Sequence, residues 1–414
     1  MELANQQRVV ITGLGVISSI GIGKKDFSDA IKQSKCGASN LDIIDTTGFE
    51  THRGCEVKNF NPQSWINNLN IDGVGRASQF AIAASKLAIS DAGLSLRTLR
   101  DSNAFICIGT TEGEALSLNQ FSEQWVKKET KAISPSLSVK ISADKISLNV
   151  LKELKIEGEP ISISTACAAG NYAIGYAYDQ VSKGNFQFAL CGGAESISRK
   201  AFAGFTRLGT IAPEICQPFD KNRKGILTGE GSGILFIESL ESALKRKATI
   251  YAEIIGYGLN CDATHPVAPN QERIEECMKK AHNRAGIQAS DVSYISTHGT
   301  GTIANDMTEV AAIKNVFGDS IPPISSLKSL LGHAMGAASA LSCISCALGI
   351  FDSFLPPTIN YVTPDEKCNI DCVPNKYREQ EVFIAQNNAF AFGGNNACLL
   401  YTSLSPRDYA ASRM

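Results

Sequence analysis

A strand, a sharp turn and an Ala/Gly-rich helix follow one another at two places in this chain, and this repetition constrains the fold more than any other feature. The first copy is Pro160-Ile-Ser-Ile-Ser-Thr-Ala-Cys-Ala-Ala-Gly170, and the second is Pro323-Ile-Ser-Ser-Leu-Lys-Ser-Leu-Leu-Gly-His-Ala-Met-Gly336. Two further pairs of segments resemble each other in the same order, 11–15 with 254–258 and 104–109 with 292–299. This order predicts two related α/β halves packed together. The alternative is chance similarity between βα units.

The division between the halves is expected after the charged helix over 238–247. We expect an N-terminal half over 1–248, a C-terminal half over 249–404 and a flexible tail over 405–414. Strands that alternate with helices favour parallel sheets covered by helices on both faces. Gly13 and Gly15 follow a buried strand, but the third glycine of a dinucleotide-binding loop is missing at its proper offset, so that fold gets little weight.

Composition excludes several classes of function. The 414 residues are 43% apolar and carry a formal charge of −2, which suits a compact α/β protein without a general attraction to nucleic acid or acidic membranes. The thirteen cysteines lack repeated CxxC pairs and His/Cys metal spacing, so we expect reduced thiols and no metal. No signal-peptide core or uninterrupted membrane-length apolar run is present, which predicts a soluble cytoplasmic protein.

Cys167 is the candidate nucleophile because it lies where a predicted strand passes into a helix. Free N–H groups and the dipole at a helix N-terminus favour the thiolate, so this position is expected to depress the thiol pKa. A buried core cysteine is the alternative for any one of thirteen cysteines. The catalytic interpretation therefore depends on partners elsewhere in the chain.

Two of the five histidines stand in glycine-containing loops after buried strands, Ser296-Thr-His298-Gly-Thr-Gly-Thr302 and Leu331-Gly-His333-Ala-Met-Gly336. Loops of this kind carry the substrate-facing groups of α/β sheets. Each histidine alone could be structural, but both together with the cysteine predict a Cys-His-His site. The other three, His52, His265 and His282, are interpreted as structural or surface residues.

The segment Phe390-Ala-Phe-Gly-Gly394 places two aromatic rings beside paired glycines. Such a loop can bring backbone N–H groups close to a ligand while a ring covers an apolar channel. A tight turn between two strands with core phenylalanines is an equal alternative.

These motifs, in this order and spacing and together with Lys328-Ser-x-x-Gly-His333, resemble the β-ketoacyl-[acyl carrier protein] synthases of the KAS II and type II polyketide ketosynthase branch. The resemblance runs from about Arg8 to Tyr401, and the segment from Pro218 to Gly231 also resembles a family signature. It implies the thiolase fold, a duplicated α/β architecture of five layers in the order αβαβα, and normally a dimer.

The resemblance also implies roles for the site residues. Cys167 would accept the acyl chain, and neutral His298 and His333 would stabilise the charge that develops when malonyl on an acyl carrier protein loses carbon dioxide. Lys328 would hydrogen-bond within the site. Backbone N–H groups of Cys167 and Phe392 would form the oxyanion hole.

The remaining implied roles concern the substrate. Thr300 and Thr302 would bind the phosphopantetheine arm that the carrier supplies, so no resident cofactor is expected. Phe392 would be the aromatic gate, and Phe390 would contact the substrate beside it. A basic rim is expected to face the acidic carrier, with Lys221, Arg223 and Lys224 as candidates.

Three departures from the family pattern favour a specialised type II polyketide or polyene pathway over housekeeping fatty-acid elongation. Ser342 replaces a glutamate associated with a cation site, and Ala391 replaces a glycine between the two phenylalanines. Glu112 stands where an apolar residue lines the acyl pocket; it is expected to face solvent or a subunit interface, or else to tune the pocket for a more polar chain.

A non-catalytic chain-length-factor-like partner and a thiolase acting on coenzyme A esters are the alternatives from other classes. Retention of Cys167 argues against the former, and the absence of a C-terminal Cys-x-Gly motif argues against the latter.

Overall fold

Two five-stranded halves of one mixed sheet form the centre of the protein, whose computed structural model describes residues 6–99, 103–128 and 134–405. The first half of the chain contains the strands β1 Val9–Ser18, β2 Gly21–Ile22, β3 Ser39–Asn40, β4 Arg53–Gly54, β5 Ala104–Gly109, β6 Gly158–Ile163, β7 Phe188–Glu195 and β8 Gly231–Ser239. Of these, β2 pairs with β1 beside the five main strands, and β3 and β4 form a separate two-stranded sheet. Those of the second half are β9 Ala252–Cys261, β10 Tyr294–Ser296, β11 Ile324–Ser325, β12 Phe354–Leu355, β13 Arg378–Glu379, β14 Ile384–Phe390 and β15 Asn395–Thr402.

Helices connect these strands throughout. In the first half they are α1 Lys24–Lys32, α2 Arg76–Asp91, α3 Leu96–Leu99, α4 Ala115–Lys128, α5 Pro135–Lys140, α6 Lys145–Leu154, α7 Ala169–Ser182, α8 Arg199–Arg207 and α9 Leu240–Lys245. In the second half they are α10 Gln271–Ala285, α11 Ile303–Phe317, α12 Lys328–Leu331 and α13 Ala338–Asp352.

The strand order is the same in the two halves. It runs β6-β5-β7-β8-β1 in the first and β11-β10-β14-β15-β9 in the second, which is 3-2-4-5-1 in both when the five strands are numbered along the chain. The halves join where β1 pairs antiparallel with β9. The predicted duplication is therefore confirmed at the level of topology.

The sheets are mixed, which the expectation of parallel sheets did not anticipate. In each half the second strand pairs parallel with the third and fourth, whereas the fourth pairs antiparallel with the fifth and the fifth with the first. In the second half the reversal has a direct local cause. A short turn over 391–394 joins β14 to β15, and a strand that returns through a tight turn must run in the opposite direction.

Five layers result from this arrangement. Helices α7 and α13 pack against each other between the two halves of the sheet. Helices α2 and α6 cover the outer face of the first half, and α10 and α11 cover that of the second. Glycine pairs on β1 and β9 allow the outer helices to approach closely. A Cβ at Gly15 would lie 1.8 Å from the carbonyl oxygen of Ala84 in α2, and a Cβ at Gly258 would lie 2.2 Å from that of Cys277 in α10. These glycines therefore serve helix packing.

The segment Met335–Asp352, which ends in α13, is long and apolar enough to cross a membrane by length and composition, but 89% of it is buried inside the protein. Helix α13 is the core helix of the second half. Ser342, which departs from the family pattern, lies on this helix and is buried. The boundary predicted near residue 248 falls between α9 and β9 and stays a prediction. The predicted tail lies outside the described residues except for Ser405.

Candidate active site

Cys167 lies in a strained turn between β6 and α7. A single 3₁₀ turn, Ala166–Ala168, follows the strand, and Ala166 adopts a left-handed backbone with φ of 51°. The second half repeats this turn over Met335–Ala337, with φ of 45° at Met335. Both turns thus store the strain of a non-glycine residue at positive φ, which is typical of functional sites.

The two turns also show which residues of the first half correspond to which residues of the second half. Because Met335 matches Ala166, the residue that corresponds to Cys167 is Gly336. His333 lies three residues before that position, so it enters the site from the loop ahead of the turn.

The structure brings Cys167, His298 and His333 together. One ligating atom from each, the cysteine sulfur and a ring nitrogen of each histidine, lie within 4.8 Å of one another. The two imidazole rings are 5.5 Å apart at 82°, and the three residues are 2–5% exposed. Residues remote in the chain therefore share one buried chamber.

The backbone determines the tautomer of His333. The N–H of Met335 donates to Nδ1 of His333 at 3.1 Å, so the proton of the neutral ring is on Nε2. The main chain of His333 is itself held by the carbonyl of Leu227 at 2.7 Å and the N–H of Gly229 at 2.9 Å. Leu227 and Gly229 belong to the segment from Pro218 to Gly231 that resembles a family signature, so this segment holds the His333 backbone in place.

Both catalytic candidates among the histidines are neutral. Burial lowers the pKa of His298 and of His333 well below the usual value, and the nearby Lys328 cation lowers both further. A neutral imidazole offers one N–H donor without becoming an acid at ordinary pH. The pair can therefore donate hydrogen bonds to a developing negative charge.

Glu309 on α11 is a site residue that the sequence analysis missed. Its two carboxylate oxygens accept the backbone N–H groups of His298 and Gly299, each at 2.8 Å, and burial raises its pKa to about 7. Lys328 Nζ donates to the carbonyl oxygen of His298 at 2.5 Å. The available signal for Glu309 was a carboxylate three residues after Asp306 on a helix whose buried residues are otherwise apolar except for Asn305.

Glu195 at the end of β7 is a second missed residue. Its carboxylate accepts the N–H of Gly336 at 3.1 Å and that of Thr111 at 2.5 Å, which ties the turn of the second half to a loop of the first. Burial raises its pKa to about 7. An acidic residue at the end of a fully buried strand was the available signal.

The thiol of Cys167 does not have the depressed pKa that the sequence analysis expected. Burial raises the pKa of Cys167 to about 11, because a thiolate away from water loses its hydration. Lys328 and the backbone N–H groups of Phe392 and of Cys167 itself oppose this rise without cancelling it. Those two N–H groups are the predicted oxyanion-hole donors, and both approach the sulfur.

We expect this raised pKa to appear in alkylation kinetics. The thiolate is the reactive form, so the rate of Cys167 modification by iodoacetamide should increase about tenfold per pH unit from pH 7 to 10 without a plateau. Lys328→Met should slow modification at every pH because it removes the nearest cation. Mass spectrometry of the Cys167 peptide would measure both rates, and a plateau below pH 8 would contradict the raised pKa.

A cleft with about 720 Å³ of empty space, part of it open to solvent, leads to the Cys-His-His cluster. The hydroxyls of Thr300 and Thr302 are 2.8 Å apart on its wall, and the ring of Phe390 lies 6.1 Å from that of His298. His265 is exposed, as expected, but it also lines this cleft, which the sequence analysis did not foresee.

Phe392 lies in the tight turn between β14 and β15, which is the structural interpretation of the phenylalanine-glycine segment, and its role toward a ligand stays a prediction. Gly393 and Gly394 have φ of 83° and 82°, and the N–H of Gly393 donates to the carbonyl of Pro266 across the cleft at 2.8 Å. The ring of Phe392 lies 5.7 Å from that of Phe205. These two rings line both the cleft and a second cavity.

Glu112 lies in that second cavity, with Leu208 and Met335 among its apolar neighbours. Its side chain is 15% exposed, is 3.0 Å from Lys200 Nζ and accepts a hydrogen bond from Ser198 Oγ at 2.9 Å. The expectation that Glu112 faces open solvent is therefore wrong in this structure. Its charge therefore has a cationic partner and is not left unpaired in the cavity.

Arg223 does not belong to a basic rim. Its guanidinium is buried and pairs with Asp365 at 2.5 Å and Asp306 at 3.7 Å, so it holds the loop around Gly225 in place. Lys221 and Lys224 are exposed, as a rim requires. Sequence position alone could not separate the buried cation from its two exposed neighbours.

Comparisons with known proteins agree with this geometry. Residues 6–243 match the sequence model of the β-ketoacyl synthase N-terminal domain, and residues 251–362 match that of the C-terminal domain. The 3-oxoacyl-[acyl-carrier-protein] synthase 2 of Staphylococcus aureus strain COL is 36% identical over 409 residues, covering 96% of this chain and 99% of the relative.

Solved structures show the same relationship. A chain of the ishigamide ketosynthase/chain length factor is 47% identical, with a TM-score of 0.95 over 97% of this chain and all of that one. A chain from a type II polyketide synthase acyl-carrier protein in complex with its ketosynthase is 29% identical, with a TM-score of 0.89 over 96% of this chain and all of that one. The duplicated sheet, the buried Cys-His-His cluster and these matches lead to one conclusion: the chain belongs to the β-ketoacyl synthase family of condensing enzymes.

Proposed function

We propose that this protein extends an acyl chain by two carbons through decarboxylative condensation with malonyl on an acyl carrier protein. The observation that carries the proposal is the buried cluster of one thiol and two neutral imidazoles within 4.8 Å. This set combines a nucleophile with two donors for a developing oxyanion, which is what such a reaction needs.

In the first half-reaction the sulfur of Cys167 attacks the thioester carbonyl of the acyl carrier. The tetrahedral oxygen accepts the N–H groups of Cys167 and Phe392, and the carrier's sulfur leaves with the proton that the Cys167 thiol gave up. An acyl thioester on Cys167 and a free carrier thiol result. Because burial raises the pKa of Cys167 to about 11, the thiol form predominates at neutral pH, and the attacking sulfur has to give up its proton in this half-reaction.

In the second half-reaction the carboxylate of the malonyl group leaves as carbon dioxide, and its bonding electron pair forms an enolate. The negative charge appears on the thioester oxygen, where Nε2–H of His333 and the ring N–H of His298 donate to it. The α-carbon then attacks the acyl carbonyl on Cys167, and the sulfur leaves as a thiolate that takes up a proton. The product is a β-ketoacyl carrier two carbons longer.

The cleft suits a long thioester arm supplied by the carrier as part of the substrate. Its wall offers the Thr300 and Thr302 hydroxyls for the amides of phosphopantetheine, beside apolar surface from Pro266 and Phe390. Exposed Lys221 and Lys224, which precede Gly225 in the loop bonded to Gly301, provide positive charge for an acidic carrier. The carrier complex of a related ketosynthase supports this choice of partner.

A metal site is the alternative use of three ligating atoms at this spacing. Lys328 argues against it, because its buried ammonium acts on both imidazoles and on the thiol. A second cation at the cluster would be repelled by the first at low dielectric. We therefore assign no metal and no resident cofactor to the site.

A specialised polyketide or polyene pathway is our proposal over housekeeping elongation. The 47% identity to a chain of the ishigamide ketosynthase/chain length factor exceeds the 36% identity to the S. aureus synthase over similar lengths. The Glu112–Lys200 pair in the second cavity supports the same choice, because a pocket for a purely alkyl chain would gain nothing from a charged pair in its wall. A cytoplasmic location, where carriers and malonyl thioesters are made, belongs to this proposal.

We further propose a dimer in which β6 pairs with a second chain. Among the described residues β6 pairs only with β5, and its Ile161 and Ile163 are only partly buried. An open strand of this kind is a template for pairing. Light scattering on the protein expressed alone would show a homodimer, whereas a monomer that dimerises only with a ketosynthase-like partner would indicate the heterodimer.

A carrier-dependent assay tests the function. We expect carbon dioxide release and a product two carbons longer when the protein receives an acyl carrier and malonyl carrier. Coenzyme A esters alone should be far poorer substrates, whereas a thiolase would use them. Failure to load acyl groups on Cys167, with normal folding, would favour the chain-length-factor alternative.

A further inference from the structure

A row of buried polar side chains on β14 has no part in the mechanism above. Successive residues of a strand face opposite sides, so Gln386 and Asn388 lie on the face toward α10 and α11. They are 0% and 2% exposed, beside an apolar cluster that includes Ile274 and Val310. Burying amides costs free energy unless each finds a partner, so this row requires an explanation.

The row joins a distant histidine to the active site. His282 Nε2 on α10 donates to Gln386 Oε1 at 2.7 Å, and Gln386 Nε2 donates to Asn388 Oδ1 at 2.9 Å. Asn388 Nδ2 lies 3.4 Å from Glu309 Oε1, the oxygen that also accepts the N–H of His298 at 2.8 Å. All five side chains are at most 5% exposed. We call His282, Gln386 and Asn388 the polar row.

The end of the row contacts a loop of the active site through Glu309. Glu309 holds two successive backbone N–H groups, those of His298 and Gly299, and Gly299 has a left-handed φ of 40°. A small displacement of the carboxylate would turn this peptide segment and the imidazole it carries. Buried groups that act on reacting residues in this way commonly alter rates without contacting substrate.

We propose that the polar row positions the His298 loop through Glu309 and so sets the rate of malonyl decarboxylation. The inference rests on the proposed function, because it uses His298 as the donor to the enolate oxygen. His282, Gln386 and Asn388 are positioning residues in this proposal. The alternative is that the row only satisfies its own hydrogen bonds in the core.

The ionisation of Glu309 provides a readout that a purely structural row would not affect. The carboxylate faces Asp306 on its own helix, Lys328 on α12, the His298 loop and Cys398 on β15. The ionised form accepts both loop N–H groups most strongly. Removing the Asn388 amide takes a donor from the carboxylate, which raises the pH at which Glu309 ionises and at which decarboxylation reaches half its maximum.

The experiment compares row variants with a matched core variant in the full-length protein. Gln386→Leu and Asn388→Leu are expected to lower kcat for malonyl-carrier decarboxylation about tenfold, with KM within about twofold. The pH midpoint should shift upward most in Asn388→Leu, while the rate of acyl loading on Cys167 stays at the wild-type level. Ile274→Ala, in the same core, should lower Tm without changing kcat or the midpoint.

A second pair of variants keeps the test valid if a leucine variant does not fold. His282→Gln retains an N–H donor toward Gln386 and should keep most of the activity, whereas His282→Phe should resemble Gln386→Leu. A row variant that lowers Tm but leaves kcat and the pH midpoint at wild-type values overturns the inference. Absence of decarboxylation by the wild-type protein would instead overturn the proposed function.

Discussion

Replacement of Cys167 by alanine is expected to abolish acyl loading and condensation, with activity at background. The sulfur is the only group in the Cys-His-His cluster that can form a stable thioester at this site, and neither neutral imidazole can hold the chain in its place. Intact-protein mass spectrometry after incubation with an acyl carrier would show the wild-type adduct and its loss in Cys167→Ala. Condensation would be followed by the extended product.

An exposed cysteine supplies the matched control. Cys261, like Cys36, is exposed whereas Cys167 is 5% exposed, so a nonspecific acylation would favour these exposed thiols. Cys261→Ala should load at the wild-type rate. A productive adduct on any cysteine other than Cys167 would contradict the assignment of the nucleophile.

Replacement of His298 by alanine is expected to slow malonyl decarboxylation by about 10²-fold or more while Cys167 still accepts an acyl group, because one donor to the enolate oxygen is lost. His333→Ala should show a similar loss. Carbon dioxide release from malonyl carrier measures the second half-reaction, and mass spectrometry of the trapped acyl-enzyme measures the first.

Glutamine is expected to rescue part of the function of His333. The proton of His333 lies on Nε2 because the Met335 N–H occupies Nδ1, so a side-chain amide in His333→Gln can still offer a donor and should recover part of the rate. His52, exposed and bonded to Thr46, is the matched control, and His52→Ala should leave both half-reactions unchanged. Undiminished carbon dioxide release in His298→Ala would remove that residue from the mechanism.

The raised pKa values of Glu195 and Glu309 have a cost for folding. Both carboxyls ionise near pH 7 in the folded protein but near the ordinary value of 4.5 when unfolded. Their contribution to stability is therefore complete below about pH 4.5 and is lost as pH rises to about 7. Groups that hold active-site loops thus do so at some expense of stability, which is common for functional sites.

Local patterns predicted the elements around the site because each depends on near neighbours. The β-branched run ending at Ile163 and the alanines after it specify a strand and a helix, and the internal resemblance of two such units predicted the duplicated fold. The motif resemblance then assigned Cys167, His298 and His333 to one site. The mixed direction of the strands was missed, since pairing across a sheet is not encoded in any one segment.

Local sequence patterns did not predict the pKa of Cys167 or the burial of charged side chains. The thiol of Cys167 was expected to be acidic from its place before a helix, but burial by residues of both halves outweighs the helix end. Arg223 was expected on the surface beside Lys221 and Lys224, and only the fold shows its burial against Asp306 and Asp365. Glu309 lies eleven residues after His298 in the chain, and helix α11 places its carboxylate where it accepts the backbone N–H of His298.

The amino-acid sequence by itself determined which chemical groups this protein possesses and in which kind of turn each one lies, because strand, turn and helix preferences act over a few residues. Only the tertiary structure decided their protonation states, their separations and the contact of the polar row with the His298 loop. Those quantities depend on dielectric and distance, and both are set by segments that meet only after the two halves have packed together.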